Sequence, residues 1–267
     1  MAKVLSCINL KGGVGKTALA VNFAAYCGLK GYKTLLVDLD PQTNATFSTI
    51  GVPAWEIAKA NGTISDLLGA RKHVDAGGAT KTVAEVVIEN VFLNVDLIPS
   101  HIDLFTVDLD LASARFRELR LKKALADVMD DYDIIVCDCP PNLTLPTQNA
   151  LAISTHYVVP VSLDFLSSIG VSLLLSRVSD FGADLDQAPT NAGIVISRVG
   201  RPAIHREETE VTLRNQFKKS VLRTAIRERV SVSKSAALHR PIFDSGDAEA
   251  IYDFNQVCKA ILANVEA

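Results

Sequence analysis

The sequence predicts an α/β fold, a doubly wound and mostly parallel sheet flanked by helices. Three observations predict it. Runs such as Leu35-Leu36-Val37 and Ile134-Ile135-Val136 are continuously apolar rather than alternating, as in strands covered on both faces. Such runs alternate with helical patterns from end to end of the chain. The first run, Val4-Leu5-Ser6-Cys7-Ile8, feeds directly into the glycine-rich stretch Leu10-Lys11-Gly12-Gly13-Val14-Gly15-Lys16-Thr17. With 267 residues, 48% of them hydrophobic, the chain can bury a large core. It shows no internal repeat and no linker, so one domain over 1–267 is expected.

Taken in order, strands are expected at 3–8, 34–37, 95–98, 134–137, 157–161 and 193–196, with a further one at 221–225. Helices are expected at 16–30, 119–129, 169–181, 207–218 and 248–265. Gly31 supplies the C-terminal stop of the first helix. Residues 71–92 have the weakest pattern and read as a mobile surface insertion.

The glycine-rich stretch is a phosphate cradle. Gly12, Gly13 and Gly15 carry no Cβ, so backbone N–H groups can approach phosphate oxygens. The helix that opens through Lys16, Thr17 and Ala18 adds the positive end of its dipole. Lys16 is placed to reach terminal phosphates, and the Thr17 hydroxyl to meet Mg²⁺. A standard loop, G-x-x-x-x-G-K-[ST], needs glycine where this chain has Leu10. Lys11 instead precedes the glycine pair, giving K-G-G-x-G-K-[ST], the deviant Walker A pattern. The second expected strand ends in Asp38-Leu39-Asp40-Pro41-Gln42, two carboxylates on the ligand side of an open parallel sheet. The strand at 134–137 runs into Asp138, the Walker B arrangement, whose carboxylate approaches Mg²⁺ directly or through water.

No uncharged apolar stretch reaches eighteen residues, which argues against a membrane span. The first strand begins almost at the N-terminus and leaves no room for a signal peptide. Five cysteines follow no framework spacing; Cys137-x-Cys139 reads as packing rather than ligation, in a reduced, cytoplasmic setting. Net charge is −3, yet residues 198–240 hold eleven Lys/Arg against four acids. That segment is +7 and the remainder −10. A basic block of this size suits a polyanion, and Arg223, Arg227, Arg229, Lys234 and Arg240 are the candidate DNA contacts, with Lys218 and Lys219 behind them.

Together, Lys11 to Thr17, Asp38 to Gln42 and Asp138-Cys139-Pro140-Pro141 resemble the ParA/Soj branch of the ParA–MinD ATPases. The likeness continues through Asn44-Ala45-Thr46, Val95 to Ser100, Arg120 to Leu125, Asn149-Ala150-Leu151 and Val158 to Val161. It implies ATP and Mg²⁺ as cofactors and a homodimer that sandwiches nucleotide. In that scheme Lys11 reaches the partner's phosphates, Asp40 orients the attacking water, Asp138 holds the Mg²⁺ shell and Asp38 supports. It further implies nonspecific double-stranded DNA binding, a nucleoid-associated location and a ParB-like or other cargo adaptor. The alternative is a MinD-type protein switch without DNA contact; the C-terminal segment, with a single Lys259 among acids, makes a poor membrane anchor. The chain departs from the family pattern at Arg227-Glu228 and Lys234, and at Asp164 to Gly170. Contacts to the base and the partner surface are specialised there.

Overall fold

A computed structural model describes residues 2–69, 81–185 and 188–267. Seven strands form one sheet: β1 (Lys3–Cys7), β2 (Thr34–Asp38), β3 (Ile88–Phe92), β4 (Val95–Ile98), β5 (Ile134–Asp138), β6 (His156–Val161) and β7 (Thr190–Ile196). Their order is β3-β4-β2-β5-β1-β6-β7, with every neighbouring pair parallel except β3 with β4. This is the doubly wound sheet the apolar runs predict.

The two-residue period of a strand divides the core. Val4, Leu35, Val37 and Ile135 face one layer, while Leu5, Leu36, Ile134 and Val136 face the other. The second layer packs α1 (Lys16–Leu29), α2 (Asn44–Ala58), α10 (Val230–Ala237) and α11 (Ala248–Glu266). The first packs α3 (Ile64–Leu68), α4 (Val83–Val86), α5 (Val107–Asp110), α6 (Arg120–Leu125), α7 (Leu145–Ile153), α8 (Ser167–Asp184) and α9 (Ile204–Phe217). Helix α1 closes as the glycine stop predicts. Gly31 takes φ 91°, Tyr32 N–H donates to Cys27 O at 3.1 Å and Gly31 N–H to Gly28 O at 3.0 Å.

Three expectations need correction. Residues 221–225 form no strand. Val221 makes one isolated bridge to Ile194, and the chain then follows β7 by single bonds, Leu222 N–H to Ile194 O and Ile226 N–H to Ile196 O. Val221 and Leu222 still face opposite layers, but from Leu222 to Ile226 four residues pass against two of β7, so no ladder register forms. The helix expected over 119–129 is regular only at α6, with 3₁₀ turns at Arg117–Leu119 and Met129–Asp131. Asn149 fixes its start, accepting from Leu121 N–H and donating to Arg117 O. The insertion expected at 71–92 lies outside the described residues up to 80. Beyond that, residues 83–86 and 88–92 are α4 and the edge strand β3.

Helix α1 crosses the turn between β3 and β4 at Gly28. A Cβ there would lie 2.1 Å from Leu93 O, closer than any side chain can approach, and Asn94 Nδ2 donates to Gly28 O at 3.1 Å. Gly28→Ala is therefore expected to destabilise the chain by at least about 2 kcal/mol, read as a lowered urea midpoint at unchanged slope.

Candidate functional site

Strand register assembles the site. Cys7 of β1 and Asp38 of β2 both pair with Asp138 of β5, so three strands end side by side. From β1 the chain passes into a loop tethered at its base by Asn9. The Asn9 amide donates to Pro160 O at 2.7 Å, and its oxygen accepts from Lys11 N–H at 2.9 Å. Gly13 and Gly15 take φ of 73° and 87°. No side chain caps α1 at Gly15, and no acid occupies its first turn, so its N–H groups open toward the cleft.

Lys16 is buried and donates from Nζ to Lys11 O at 3.0 Å. Burial draws its pKa down, while Asp138 and Asp40 oppose that and favour the ammonium. Beneath the loop Asp138 is fully buried, and neither carboxylate oxygen has a hydrogen-bond partner among the described residues. Burial pushes its carboxyl well up, and the facing Asp38 adds to the shift, with Thr17 near enough to work in the other direction. A buried carboxylate costs several kcal/mol unless something compensates it. Asp138 beside Thr17 therefore fits a hard divalent cation. Among the described residues no three His, Cys, Asp or Glu gather as a metal cage.

The neighbouring carboxylates are held differently. Asp38 accepts from Thr46 N–H at 2.8 Å, Thr46 Oγ1 at 2.7 Å and Asp40 N–H at 3.1 Å. Burial nevertheless pushes its pKa up to about 7. Asp40 borders the cleft, where it accepts from Gln42 N–H at 2.9 Å. Its carbonyl takes the Ser100 hydroxyl at 2.7 Å, and Ser100 N–H reaches Thr46 Oγ1 at 3.0 Å. Ser100 thus couples the end of β4 to both acidic residues. In the sequence Ser100 closes the Val95 to Ser100 stretch of the family likeness, but nothing there marks this hydrogen-bonding role.

The cleft measures about 690 Å³. Gly12, Gly13 and Gly15 to Ala18 form one wall, Asp40, Gln42 and Asn44 a second, and Ile226 to Arg229 with Val232, Ser233 and Phe254 a third. Ser197 and Arg198, unmarked in the sequence reading, also line it. Their signal was position, directly after an apolar run and so on the ligand edge of the sheet.

Outside the cleft, Lys11 Nζ lies 2.5 Å from Asp164 Oδ2 in the same chain. Burial raises the Asp164 pKa, but the Lys11 ammonium and the Ser162 hydroxyl outweigh it and hold the carboxyl below its usual range. Beside this pair Phe165 is 87% exposed, and Leu166 and Ile169 are also open to solvent.

The basic candidates separate into two groups. Arg227 grips Asp253 through Nε and Nη2, each at 2.8 Å, and reaches Glu249 through Nη1 at 2.8 Å. Arg229 pairs with Glu249 and Asp247. Both line the cleft with their charge largely balanced by α11. Arg223, Lys234 and Arg240 are exposed, as are Lys218 and Lys219. Lys218, Lys219 and Arg223 share one open hollow with Arg214.

A family model described as an AAA domain matches residues 2–189. The chromosome-partitioning ATPase Soj of Treponema pallidum is 36% identical over 250 residues, covering 93% of this chain and 92% of the relative. Among solved structures, apo McdA from Cyanothece superposes with a TM-score of 0.82 at 19% identity, over 97% of this chain and 99% of that one. Cobyrinic acid a,c-diamide synthase from Mycobacterium smegmatis, with a bound ATP analogue and magnesium, gives a TM-score of 0.80 at 25% identity, over 98% and 94%.

The raised carboxyls give the nucleotide-free chain a defined pH response. Unfolding returns Asp38 and Asp138 to the usual carboxylate range near 4, so between there and about 7 the folded chain binds more protons. Their contribution is full at low pH and is lost as pH rises through the folded value. Without nucleotide the chain should be less stable at pH 8 than at pH 6, by about 1 kcal/mol from Asp38 alone. Calorimetric melting checks this, and Asp138→Asn, which removes the facing charge, should shrink the difference.

Proposed function

The chain belongs to the AAA-domain family as a ParA/MinD-type P-loop ATPase, and from that premise we propose that it hydrolyses ATP to position or partition a cargo. One observation carries the catalytic part: a buried, unpartnered Asp138 beneath Lys16 and Thr17, with Asp40 at the adjacent strand end. The Soj relative and the ATP-analogue and magnesium complex of the synthase support the same nucleotide and ion here. When bound, Mg²⁺ supplies positive charge to the phosphates.

Each residue then has a distinct task. The amides of Gly12 to Thr17 cradle phosphate oxygens, and Lys16 sets its ammonium against the terminal phosphate. Thr17 and Asp138 hold the ion, Asp138 directly or through water. Asp40 orients a water in line with the terminal phosphate and accepts its proton, with Asp38 and Ser100 fixing the strand end. Lys11 completes the partner's site in a nucleotide-sandwich homodimer, adding charge to the transition state only on assembly. In the single chain that lysine is occupied by Asp164, so dimerisation exchanges an exposed ion pair for a phosphate contact. The open Phe165, Leu166 and Ile169 supply apolar surface on the same side.

DNA binding is centred in this reading on Lys218, Lys219 and Arg223, with Lys234 and Arg240 as further contacts. Arg227 and Arg229 serve the cleft instead, because their partners on α11 already neutralise them. Phosphate contacts of this kind give dissociation constants of about 10⁻⁴–10⁻⁶ M at physiological salt. Two copies joined by ATP raise the effective affinity. A ParB-like or other adaptor on the cargo stimulates hydrolysis and so releases the complex. Among the described residues no helix is long and apolar enough to cross a membrane.

Two sets of variants test the proposal. Lys16→Ala should abolish nucleotide binding and Asp40→Ala should bind ATP and accumulate dimers. Lys11→Ala should bind ATP as a monomer yet lose hydrolysis; parent-like turnover would remove its cross-dimer task. In mobility shifts with ATP, ADP or no nucleotide, ATP should tighten DNA binding. Lys218→Glu with Lys219→Glu should weaken it at least tenfold while leaving the ATP dimer intact. Shifts unchanged by that pair would favour a nucleotide-gated switch acting on protein partners alone.

A further inference from the structure

We infer that Ser197 and Arg198 are positioning residues that set the shape of the glycine loop from behind and link it to the chain on the far side of the cleft. The inference rests on the nucleotide-binding reading above. Ser197 follows β7, stays in register with β6 through its N–H to Val161 O at 2.8 Å, and is buried. Its hydroxyl donates to Val14 O at 2.5 Å. Next to it the Arg198 guanidinium donates from Nη1 to Gly13 O at 2.7 Å. Two successive carbonyls of the loop are therefore tied to two successive residues of another strand end.

Peptide planarity gives this tie its effect. In a trans peptide the N–H points opposite the C=O. Anchoring Gly13 O and Val14 O to residues 197 and 198 turns the N–H groups of Val14 and Gly15 the other way. Those are amides of the cradle itself. Without the anchors, a stretch with left-handed glycines at 13 and 15 has many alternative peptide orientations. Preorganised donors of this kind lose no binding free energy to reorientation when phosphate arrives.

The second arm of Arg198 extends the device. Nη2 donates to Glu228 Oε1 at 2.8 Å, and the backbone beside it is bridged, Val199 N–H to Ile226 O at 3.1 Å and Glu228 N–H to Val199 O at 2.9 Å. Residues 226–229 form the third wall of the cleft. One guanidinium thus spans the phosphate loop and that wall, which a lysine ammonium on a flexible stem does not do with fixed geometry. Arg198 takes φ 52°, a left-handed backbone that a residue with a Cβ adopts at an energetic cost. A glycine would suit the backbone better, and what the arginine adds is the pair of guanidinium bonds to Gly13 O and Glu228 Oε1.

That conflict supplies the experiment. Affinity of the full chain for a fluorescent ATP analogue with Mg²⁺ is measured beside its thermal midpoint without nucleotide. Arg198→Gly should bind at least tenfold more weakly while melting at the parent's temperature or above, because glycine relieves the left-handed backbone. Arg198→Lys should fall between the two, and Ser197→Ala should bind severalfold more weakly than the parent. Arg198→Gly within twofold of the parent's affinity would overturn the clamp, as would an affinity loss matched by a fall in the nucleotide-free midpoint. A parent chain that does not bind the analogue overturns the nucleotide reading and the clamp with it. A binding parent beside an unaffected Arg198→Gly overturns the clamp alone.

Discussion

The buried carboxylate of Asp138 is the constraint on which the remainder of the site turns. Two facts force it on the molecule. Parallel pairing of β1, β2 and β5 brings their ends together, and helices on both faces keep water from what lies there. A carboxylate so enclosed needs either a proton or a cation. Its neighbours show both responses being prepared. Asp38 is hydrogen-bonded by Thr46 and Asp40, yet burial still raises its pKa, and Lys16 remains close enough to favour the charged forms. Such a site is costly without ligand and compensated with it, which links folding stability to occupancy.

Around that centre, the glycine loop carries almost no structure of its own. It is held by Asn9 at its base and by Ser197 and Arg198 behind. These anchors come from the ends of two strands, β1 and β7, so the cradle's shape is a property of the sheet edge. The Asp40 turn is similar, fastened through Ser100 at the end of β4. Loops that must be both open to a ligand and fixed in shape are positioned by a rigid scaffold, and here the scaffold is the parallel sheet.

The basic segment shows where one-dimensional charge misleads. By count it is one basic block, in which nothing sets Arg227 and Arg229 apart from Lys218, Lys219 and Arg223. In space α11 returns alongside it, and Asp247, Glu249 and Asp253 meet those two arginines. Lys218, Lys219 and Arg223, ranked together by nothing in the sequence, gather around one hollow instead. Lys11 also changes character in three dimensions. Its place before the glycine pair marks it as special, and only the fold reveals that Asp164, 153 residues later, holds it.

Sequence alone determined the doubly wound sheet, the phosphate loop, and the strand-end positions of Asp38, Asp40 and Asp138. Each is encoded by neighbours along the chain: continuous apolar runs fix buried strands, and glycine spacing fixes the turn that follows them. Tertiary structure decided which carboxylate lacks a partner, which arginines are neutralised, and that Ser100, Ser197 and Arg198 support the loops. It also replaced a seventh parallel strand at 221–225 with an irregular edge and supplied β3 in its place. The reason is distance along the chain. Hydrogen bonds from Ser197 to Val14 and from Arg227 to Asp253 join residues that no local pattern relates, so only the folded sheet edge brings them together.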